Sequence, residues 1–338
     1  MKDMMIERRP FGASGITLPV VGIGCWAYGG GDYWGPQDQK DVDAVVARAL
    51  DQGMNYFDTA EAYNEGRSEE ALGRALQGRR KEAIIGTKVF PTNAEEPSVL
   101  RQHCEASLRR LQTDYIDIYM VHWPLEDRFV EDAFATLSAL QAEGRIRSIG
   151  ASNFGVRQLQ AALATGARID GDQLVYNLLS RAIEIEIMPF CARQRIGILA
   201  YSPLLQGLLS GKFRTMDEVP PIRTRTRHFR GDRPGSRHGE AGAEDELAAD
   251  LDGIRAVAQE LQVPMAQVAL AWTLARPEIT CALPGIRTVD QFDQNVAGAR
   301  LKLSPDVVAQ LDRLTLSLRD KLGASPDYYQ GRDSGRTW

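Results

Sequence analysis

The chain has 338 residues, of which 25% are charged and 43% hydrophobic, and its formal net charge is −5. This composition predicts an ordinary folded protein, and the acidic balance gives no reason to expect nucleic acid or an anionic membrane as a partner. No apolar run approaches the roughly 18 residues that a membrane-spanning helix needs. The polar first ten residues do not form a signal peptide, so we expect a cytoplasmic protein.

Short β-rich segments alternate with segments of helical periodicity along most of the chain. Strands are predicted at Leu18–Gly24, Met54–Phe57, Ala83–Thr87, Ile116–Val121, Ile146–Ala151, Gly171–Val175, Ile196–Ala200 and Ile279–Leu283. Helices are predicted around residues 42–50, 69–76, 97–111, 130–142, 156–164, 187–195, 246–260 and 264–275. Eight such units in strict order favour a closed (β/α)8 TIM barrel over a doubly wound open sheet. We therefore predict one α/β barrel domain spanning residues 1–338.

Two segments depart from this alternation. A stretch rich in Gly, Pro and Arg, from Leu204 to Leu247, separates the seventh and eighth predicted strands. Its length indicates a functional loop or lid. The polar tail from Arg319 to Trp338 is predicted to lie over the barrel surface.

The four cysteines are widely separated and form no CxxC pair, being Cys25, Cys104, Cys191 and Cys281. This spacing indicates small reduced core residues in a reducing compartment.

Polar side chains follow three neighbouring predicted strands. Asp58 follows the second strand, Lys88 closes the third and His122 closes the fourth, while Tyr63 lies in the loop beyond Asp58. Taken singly, each is better explained as a turn cap, an ion-pair partner or a packing residue. Because the C-terminal ends of barrel strands meet at one mouth, their joint position favours a functional site.

The chemistry of these four groups suits reduction of a carbonyl. A carbonyl that accepts hydride develops alkoxide character and needs a proton donor within hydrogen-bond reach. A tyrosine titrates near ~10 when unperturbed, and the Lys88 ammonium would favour its anionic form and so strengthen Tyr63 as an acid. Asp58 can fix Lys88, and His122 can orient the substrate.

The segments that carry these residues, 53–69, 84–88 and 116–124, resemble the aldo-keto reductase family, and the resemblance runs over nearly the whole chain. It implies NADPH-dependent reduction of an aldehyde or ketone, or the reverse oxidation of an alcohol or sugar, with Tyr63 as the proton donor. It also implies a hairpin over Met5–Leu18 that plugs the other end of the barrel.

The resemblance further implies a cofactor site for NADPH or NADP. It assigns Ser152, Asn153 and Gln173 to the carboxamide, Tyr201 to the nicotinamide ring, Ser202, Leu204, Gly207 and Lys212 to the pyrophosphate, and Gly285, Arg287, Gln291 and Asn295 to the adenosine 2′-phosphate end. Barrels commonly bind phosphate with the loops after strands seven and eight, in agreement with these positions. Taken alone, Ser152 and Asn153 fit a helix cap equally well, Tyr201 fits core packing, and Arg287 fits a surface charge.

A second phosphate-binding pattern is present at Gly22–Ala27, which formally matches G-x-G-x-x-A. We reject it because that fingerprint must open a helix at once, and here glycines and aromatic residues intervene.

Between Lys212 and Arg237 lie eight basic and three acidic residues. We expect most of these basic side chains to be solvated, with a few approaching the cofactor phosphates or the mouth. Because the rest of the chain is acidic, we do not expect this loop to bind nucleic acid.

Aromatic residues are concentrated in the predicted mouth loops, namely Trp26, Tyr28, Trp34, Phe90 and Trp123. We expect Trp26 and Trp123 to contact a small carbonyl or alcohol substrate. Aromatic walls suit sugars, aryl rings and aliphatic chains alike, so they select no substrate.

Two alternatives stay open. The chain could be a redox-sensing, NADP-binding regulatory subunit with little turnover, which an aldehyde assay with NADPH would separate from a reductase. A metal-dependent barrel hydrolase using Asp58 and His122 is the third hypothesis. No further His or carboxylate cluster accompanies that pair, so we predict no metal. The oligomeric state is not predicted.

Overall fold

The computed structural model describes residues 6–334, so Met5 of the predicted hairpin and residues 335–338 of the predicted tail lie outside the described residues. A hairpin pairs β1 (Arg8–Pro10) with β2 (Thr17–Pro19). The main sheet contains β3 (Ile23–Gly24), β4 (Tyr56–Asp58), β5 (Ile84–Val89), β6 (Ile116–Val121), β7 (Ile146–Ser152), β8 (Ile169–Val175), β9 (Gly197–Tyr201) and β10 (Ile279–Leu283).

Helices connect these strands and continue beyond the last one. They are α1 (Gln39–Asp51), α2 (Arg67–Ala75), α3 (Pro97–Leu111), α4 (Asp127–Ala142), α5 (Val156–Ala164), α6 (Ile187–Gln194), α7 (Glu244–Glu260), α8 (Met265–Leu274), α9 (Val289–Arg300), α10 (Pro305–Leu314) and α11 (Leu316–Leu322).

The main sheet is parallel and closes on itself. Within the described residues, its eight strands pair in sequence order from β3 to β10. Parallel bridges between Val21 and Ala282 and between Gly24 and Gly285 complete the circle. The predicted (β/α)8 barrel is confirmed.

The inward-facing side chains of the barrel form layers, from an apolar floor to a more polar mouth. On each strand the side chains facing inward are two residues apart, because successive residues of a strand point to opposite faces. The floor is an apolar cluster that includes Tyr56, Ile118, Met120, Leu199 and Cys281. The next inward positions on these strands lie one layer nearer the mouth, and several of them carry polar groups.

The N-terminal hairpin plugs the floor from below, as the resemblance implied. Phe11 is fully buried and belongs to the floor cluster. A Cβ at Gly171 would lie 2.1 Å from Cε2 of Phe11, so only glycine leaves room for this ring. The Arg9 guanidinium donates to the carbonyls of Leu274, Arg276 and Ile279, which fastens the hairpin to the strand that closes the barrel.

The prediction of one strand over Leu18–Gly24 is wrong. This apolar run serves two sheets: Thr17–Pro19 pairs with the hairpin, and Ile23–Gly24 pairs with β4. The chain passes from beneath the barrel into its wall between these pieces, so an unbroken apolar pattern does not mark an unbroken strand.

The C-terminal segments are more ordered than their polar sequence suggests. The predicted tail begins inside α11, and its Tyr328 is buried. The Tyr328 hydroxyl accepts a hydrogen bond from the Ala182 amide, and its carbonyl accepts one from the Arg227 amide. The tail therefore packs against both the barrel and the long loop.

Truncation of the plug should destabilise the whole barrel. Phe11→Ala removes a fully buried ring and should lower the free energy of unfolding by about 3–5 kcal/mol, measured by urea denaturation. Phe90→Ala is the matched control, because Phe90 is 41% exposed and its loss should cost less than about 1 kcal/mol. Equal effects of the two substitutions would show that the hairpin does not support the core.

Candidate active site

A fully buried lysine lies at the centre of the barrel mouth. The Lys88 ammonium donates to Oδ2 of Asp58 at 2.9 Å, to the carbonyl of Thr59 at 2.7 Å and to the hydroxyl of Tyr63 at 3.3 Å. The register that pairs Asp58 with Gly86 in β4 and β5 sets the two charged side chains side by side. The structure thus brings together three of the four residues predicted at the mouth.

The charges of this pair stabilise each other. Burial opposes the charge on Lys88, but Asp58 and Tyr63 raise the pKa of the ammonium above its ordinary value. Burial raises the pKa of Asp58, and Lys88 and the Gln173 amide oppose that rise. We therefore describe Lys88 and Asp58 as an ion pair at neutral pH.

Tyr63 is a phenol rather than a phenolate at neutral pH. Burial raises its pKa above 10, and the nearby Lys88 ammonium only partly opposes that rise. As expected, the Lys88 charge lowers the pKa of Tyr63, but burial raises that pKa by more. Tyr63 consequently carries a proton that it can give.

His122 joins the group from the end of β6. Its ring lies edge-on to the Tyr63 ring, with centroids 5.6 Å apart. Burial and the Lys88 charge hold the pKa of His122 well below its ordinary value, so the imidazole is neutral. Its Nδ1 is buried and has no hydrogen-bond partner within the described part of the chain.

The loop that carries Tyr63 is held by polar contacts. Asn64, which has a left-handed φ of 52°, donates to the carbonyls of Trp26 and Tyr28 at 3.0 and 2.8 Å. Glu61 accepts from the amide of Phe90 at 2.8 Å and contacts Nδ1 of His103 at 2.7 Å. These supports were not predicted from the sequence.

The residues assigned to the nicotinamide end continue this network. Gln173 donates to Oδ1 of Asp58 at 2.7 Å, and the Ser152 hydroxyl donates to the Gln173 carbonyl at 3.1 Å. Asn153 donates to the His122 carbonyl at 3.1 Å and accepts from the Tyr201 hydroxyl at 2.9 Å. These four residues therefore contact the other predicted site residues directly.

The segment after β9 forms a tight turn beside the mouth. Ser202 has a φ of 51° and Gly207 a φ of 97°, and Leu204 lies between them. A Cβ at Gly207 would lie 2.8 Å from Nζ of Lys212, so the lysine folds over this glycine. No carboxylate among the described residues pairs with Lys212, which leaves its positive charge for an anion.

The loop after β10 presents the other predicted phosphate residues. Gly285 and Gln291 are exposed, and Asn295 is buried in α9. The Arg287 guanidinium donates to Oε1 of Gln37 at 2.7 Å and to the carbonyls of Trp34 and Pro36 at 2.7 and 2.5 Å. All three partners are uncharged, so Arg287 also keeps an uncompensated positive charge within the described residues.

Aromatic side chains wall one side of the mouth. Trp26 stacks on Tyr33 with ring centroids 4.8 Å apart, and its centroid is 6.0 Å from that of Tyr63. Trp123 directly follows His122 and is half-buried. Tyr28, on the same loop as Trp26, is fully buried in the core and is therefore a packing residue.

The long basic loop is less solvated than expected. Arg227 is fully buried and donates to the carbonyls of Leu322 and Ser325. Arg223 and Arg225 are half-buried and face the aromatic wall through Trp34 and Tyr33. The basic composition of the loop was visible in the sequence, but nothing in it distinguished the buried arginine from the others.

Three further residues at the mouth were missed. The Tyr33 hydroxyl donates to Oε1 of Gln206, and the Gln206 amide donates to the Tyr329 hydroxyl at 3.3 Å. These bonds join three segments that are far apart in sequence, and no local pattern could have revealed them.

Residues 6–334 offer neither a metal-binding cluster nor a membrane-spanning helix. No three His, Cys, Asp or Glu side chains there form a cluster suited to a metal ion. Asp58 uses both carboxylate oxygens for Lys88 and Gln173. Over the same residues, every helix is too short or too polar to cross a bilayer.

Comparisons with known proteins agree with this geometry. The NADH-specific methylglyoxal reductase of Escherichia coli is 32% identical over 326 residues, covering 88% of this chain and 95% of the relative. The crystal structure of an aldo-keto reductase from Klebsiella pneumoniae in complex with NADPH matches with a TM-score of 0.72 at 27% identity, covering 98% of this chain and 99% of that one. A glycerol dehydrogenase from Gluconobacter oxydans matches with a TM-score of 0.77 at 28% identity, covering 92% and 95%.

The family model that matches this chain spans residues 20–315, which include both strands of the Lys88–Asp58 pair and both candidate phosphate loops. The chain is an oxidoreductase that belongs to the aldo/keto reductase family.

Proposed function

We propose that the protein reduces an aldehyde or ketone with hydride from NADPH, and that Tyr63 gives the proton. The observation that carries this proposal is the buried Lys88 ammonium, held between Asp58 and the Tyr63 hydroxyl. This arrangement supplies an acid at the place where an alkoxide would form. The reverse oxidation of an alcohol or sugar uses the same groups in the opposite order.

When bound, the dihydronicotinamide supplies a hydride to the carbonyl carbon. As the C=O π bond breaks, the oxygen takes the Tyr63 proton, and the product is an alcohol. Lys88 stabilises the negative charge left on Tyr63, since opposite charges this close favour the ionised form. A proton from solvent then restores the phenol.

His122 would orient the carbonyl. A neutral imidazole has one N–H donor, and the His122 pKa keeps the ring neutral across the physiological range. Donation from this ring and from Tyr63 to the same oxygen would fix the carbonyl in the mouth. Such paired donors stabilise developing oxyanions in many enzymes.

The side chains near the mouth fit a nicotinamide dinucleotide phosphate. Ser152, Asn153 and Gln173 offer amide and hydroxyl groups for a carboxamide, and Tyr201 offers a ring face. Lys212 and Arg287 are cations without carboxylate partners among the described residues, so each can bind a phosphate. Ser202, Leu204, Gly207, Gly285, Gln291 and Asn295 would complete the two phosphate-binding segments.

The choice between NADPH and NADH rests on Arg287. One relative is named as NADH-specific, while one solved neighbour contains NADPH. A guanidinium near the adenosine end favours the 2′-phosphate of NADPH, because Arg binds phosphate through two parallel hydrogen bonds. We therefore propose NADPH as the preferred cofactor.

A small carbonyl compound is the proposed substrate. Two relatives are named methylglyoxal reductases. The Trp26 ring lies 6.0 Å from the ring of the proposed proton donor, and Trp123 directly follows His122. An aldehyde that turns over with NADPH would also exclude a purely regulatory NADP-binding subunit.

Removal of the phenol should abolish catalysis without loss of the cofactor. Tyr63→Phe should reduce kcat for an aldehyde at least about 100-fold, because the general acid is lost. NADPH affinity, followed by tryptophan fluorescence, should change less than about twofold. Tyr115→Phe, at the opposite end of β6, is the matched control and should retain full activity. Undiminished kcat in Tyr63→Phe would remove Tyr63 from the acid role.

Removal of the ammonium should change the pH dependence. Lys88 lowers the Tyr63 pKa relative to burial alone, so Lys88→Met should raise that pKa further and leave less tyrosinate at each pH. Alcohol oxidation, which needs the tyrosinate, should fall about tenfold near pH 9, and its rise should move to higher pH.

Lys88→Met also leaves Asp58 buried without its partner, so the double variant Asp58→Asn, Lys88→Met serves as the folding control. Removal of Asp58 also removes a charge that raises the Tyr63 pKa, so this variant should show a displacement in the same direction but a smaller one. A pH profile for oxidation that matches the wild type in both variants would contradict the role of Lys88.

Removal of the Arg287 charge should reveal the cofactor preference. Arg287→Ala should weaken NADPH binding about tenfold more than NADH binding, measured as dissociation constants by fluorescence titration. Gln37→Ala removes a partner of Arg287 without removing the charge, so it should leave the ratio unchanged. Equal losses for both dinucleotides in Arg287→Ala would count against a 2′-phosphate contact.

A further inference from the structure

Two residues before the proposed proton donor lies a buried acid, Glu61. It is only 9% exposed, and the Tyr63 amide closes the turn around it by donating to the Ala60 carbonyl at 3.0 Å. The Glu61 amide itself donates to the Lys88 carbonyl at 3.2 Å. Glu61 therefore connects the turn that carries the proton donor to the strand that carries the ammonium.

The Glu61 side chain adds three contacts beyond the end of β5. Its Oε1 accepts from the Phe90 amide and from Nδ2 of Asn93, both at 2.8 Å. Its Oε2 lies 2.7 Å from Nδ1 of His103. Phe90 and Asn93 belong to the loop after β5, and His103 belongs to α3. Because one carboxylate is bonded to two separate elements, the side chain is locked and its turn is held against them.

The turn is anchored on its other side by the residue after Tyr63. Asn64 donates to the carbonyls of Trp26 and Tyr28 in the loop after β3. Between these two anchors the Tyr63 hydroxyl lies 3.3 Å from Nζ of Lys88. This distance is at the long end of the range for an N–H···O hydrogen bond, so a small outward shift of the turn would break the contact.

We propose that Glu61 is a positioning residue for the proton transfer, which holds the Tyr63 hydroxyl within hydrogen-bond reach of Lys88. It acts through the turn and the loop after β5 rather than by contact with the reacting atoms. The ammonium stabilises the anion left on Tyr63 only when the two groups are close. Misplacement of a catalytic group by about 1 Å can lower a rate ~100-fold, so even a partial shift should be measurable. This inference rests on the proposed reductase function.

Removal of the Glu61 carboxylate should affect the chemical step and leave binding almost unchanged. In Glu61→Ala, kcat for an aldehyde should fall about tenfold. The KM for the aldehyde and the dissociation constant of NADPH should each change less than about twofold. Because Lys88 lowers the Tyr63 pKa, separation of the two groups should also move the rise of alcohol oxidation to higher pH. A residue that only supports the fold would not displace this profile.

Matched variants control for loss of structure. Glu61→Gln keeps an oxygen that can accept from Phe90 and Asn93, so it should retain most of the wild-type kcat and pH profile. Glu105→Gln removes the acidic partner of Arg145 and should change neither quantity. If Glu61→Ala does not fold, His103→Ala removes only one of the three donors. It should then lower kcat about threefold and displace the pH profile in the same direction.

Three outcomes overturn the proposal. If Glu61→Ala is less stable to urea but keeps its kcat and pH profile, Glu61 only supports the fold. If kcat falls and the pH profile does not move, the contact between Tyr63 and Lys88 does not depend on Glu61. If NADPH affinity falls as much as kcat, the effect of Glu61 lies at the cofactor site.

Failure of the reductase function itself would be recognised separately, since the wild type would then reduce no aldehyde with NADPH. Crystal structures of the wild type and of Glu61→Ala would still test the positioning role. A separation of the Tyr63 hydroxyl from Nζ of Lys88 beyond about 3.5 Å in the variant, against 3.3 Å in the wild type, supports the role. An unchanged separation rejects it.

Discussion

The site depends on one buried ion pair. The Lys88 side chain has no exposed surface, and an ammonium withdrawn from water is stable only when its donors are satisfied. Asp58, the Thr59 carbonyl and Tyr63 satisfy them. Asp58 in turn accepts from Gln173 on the far side of the barrel, so strands distant in sequence are bound into one network. Because loss of one partner leaves a buried charge, the strand ends around the mouth are constrained to a single arrangement.

The barrel provides these positions because its inward-facing side chains, two residues apart on each strand, form successive layers. Tyr56 and Met120 occupy the floor, and two residues later come Asp58, at the end of β4, and His122, directly after β6. The Phe11 plug closes the floor from below, so the polar layer rests on a packed apolar one. A rigid apolar support of this kind keeps charged groups at fixed separations, which preorganised electrostatic catalysis requires.

The sequence predicted the parts of this architecture that depend on local pattern. Strand and helix periodicity located the barrel, and the polar residues at the ends of β4, β5 and β6 located the mouth. The rest depends on packing between distant segments. Examples are the burial of Arg227 against the C-terminal segment, the neutral partners of Arg287, and the approach of Tyr329 to the mouth. A sequence pattern records that a side chain is charged, but the partner that satisfies the charge is set by tertiary contacts. The extent of the domain and the individual site roles stay predictions.

The central claim is that the four mouth residues surround a carbonyl that accepts hydride from a nicotinamide. Label transfer measures this directly. The protein is incubated with an aldehyde and NADPH that carries deuterium at C4 of the nicotinamide ring, in each stereochemical configuration, and the alcohol is analysed by mass spectrometry and NMR. The account predicts that one configuration delivers deuterium to the former carbonyl carbon and the other delivers protium. Formation of alcohol without label from either configuration, or no alcohol from a panel of aldehydes despite NADPH binding, would contradict it.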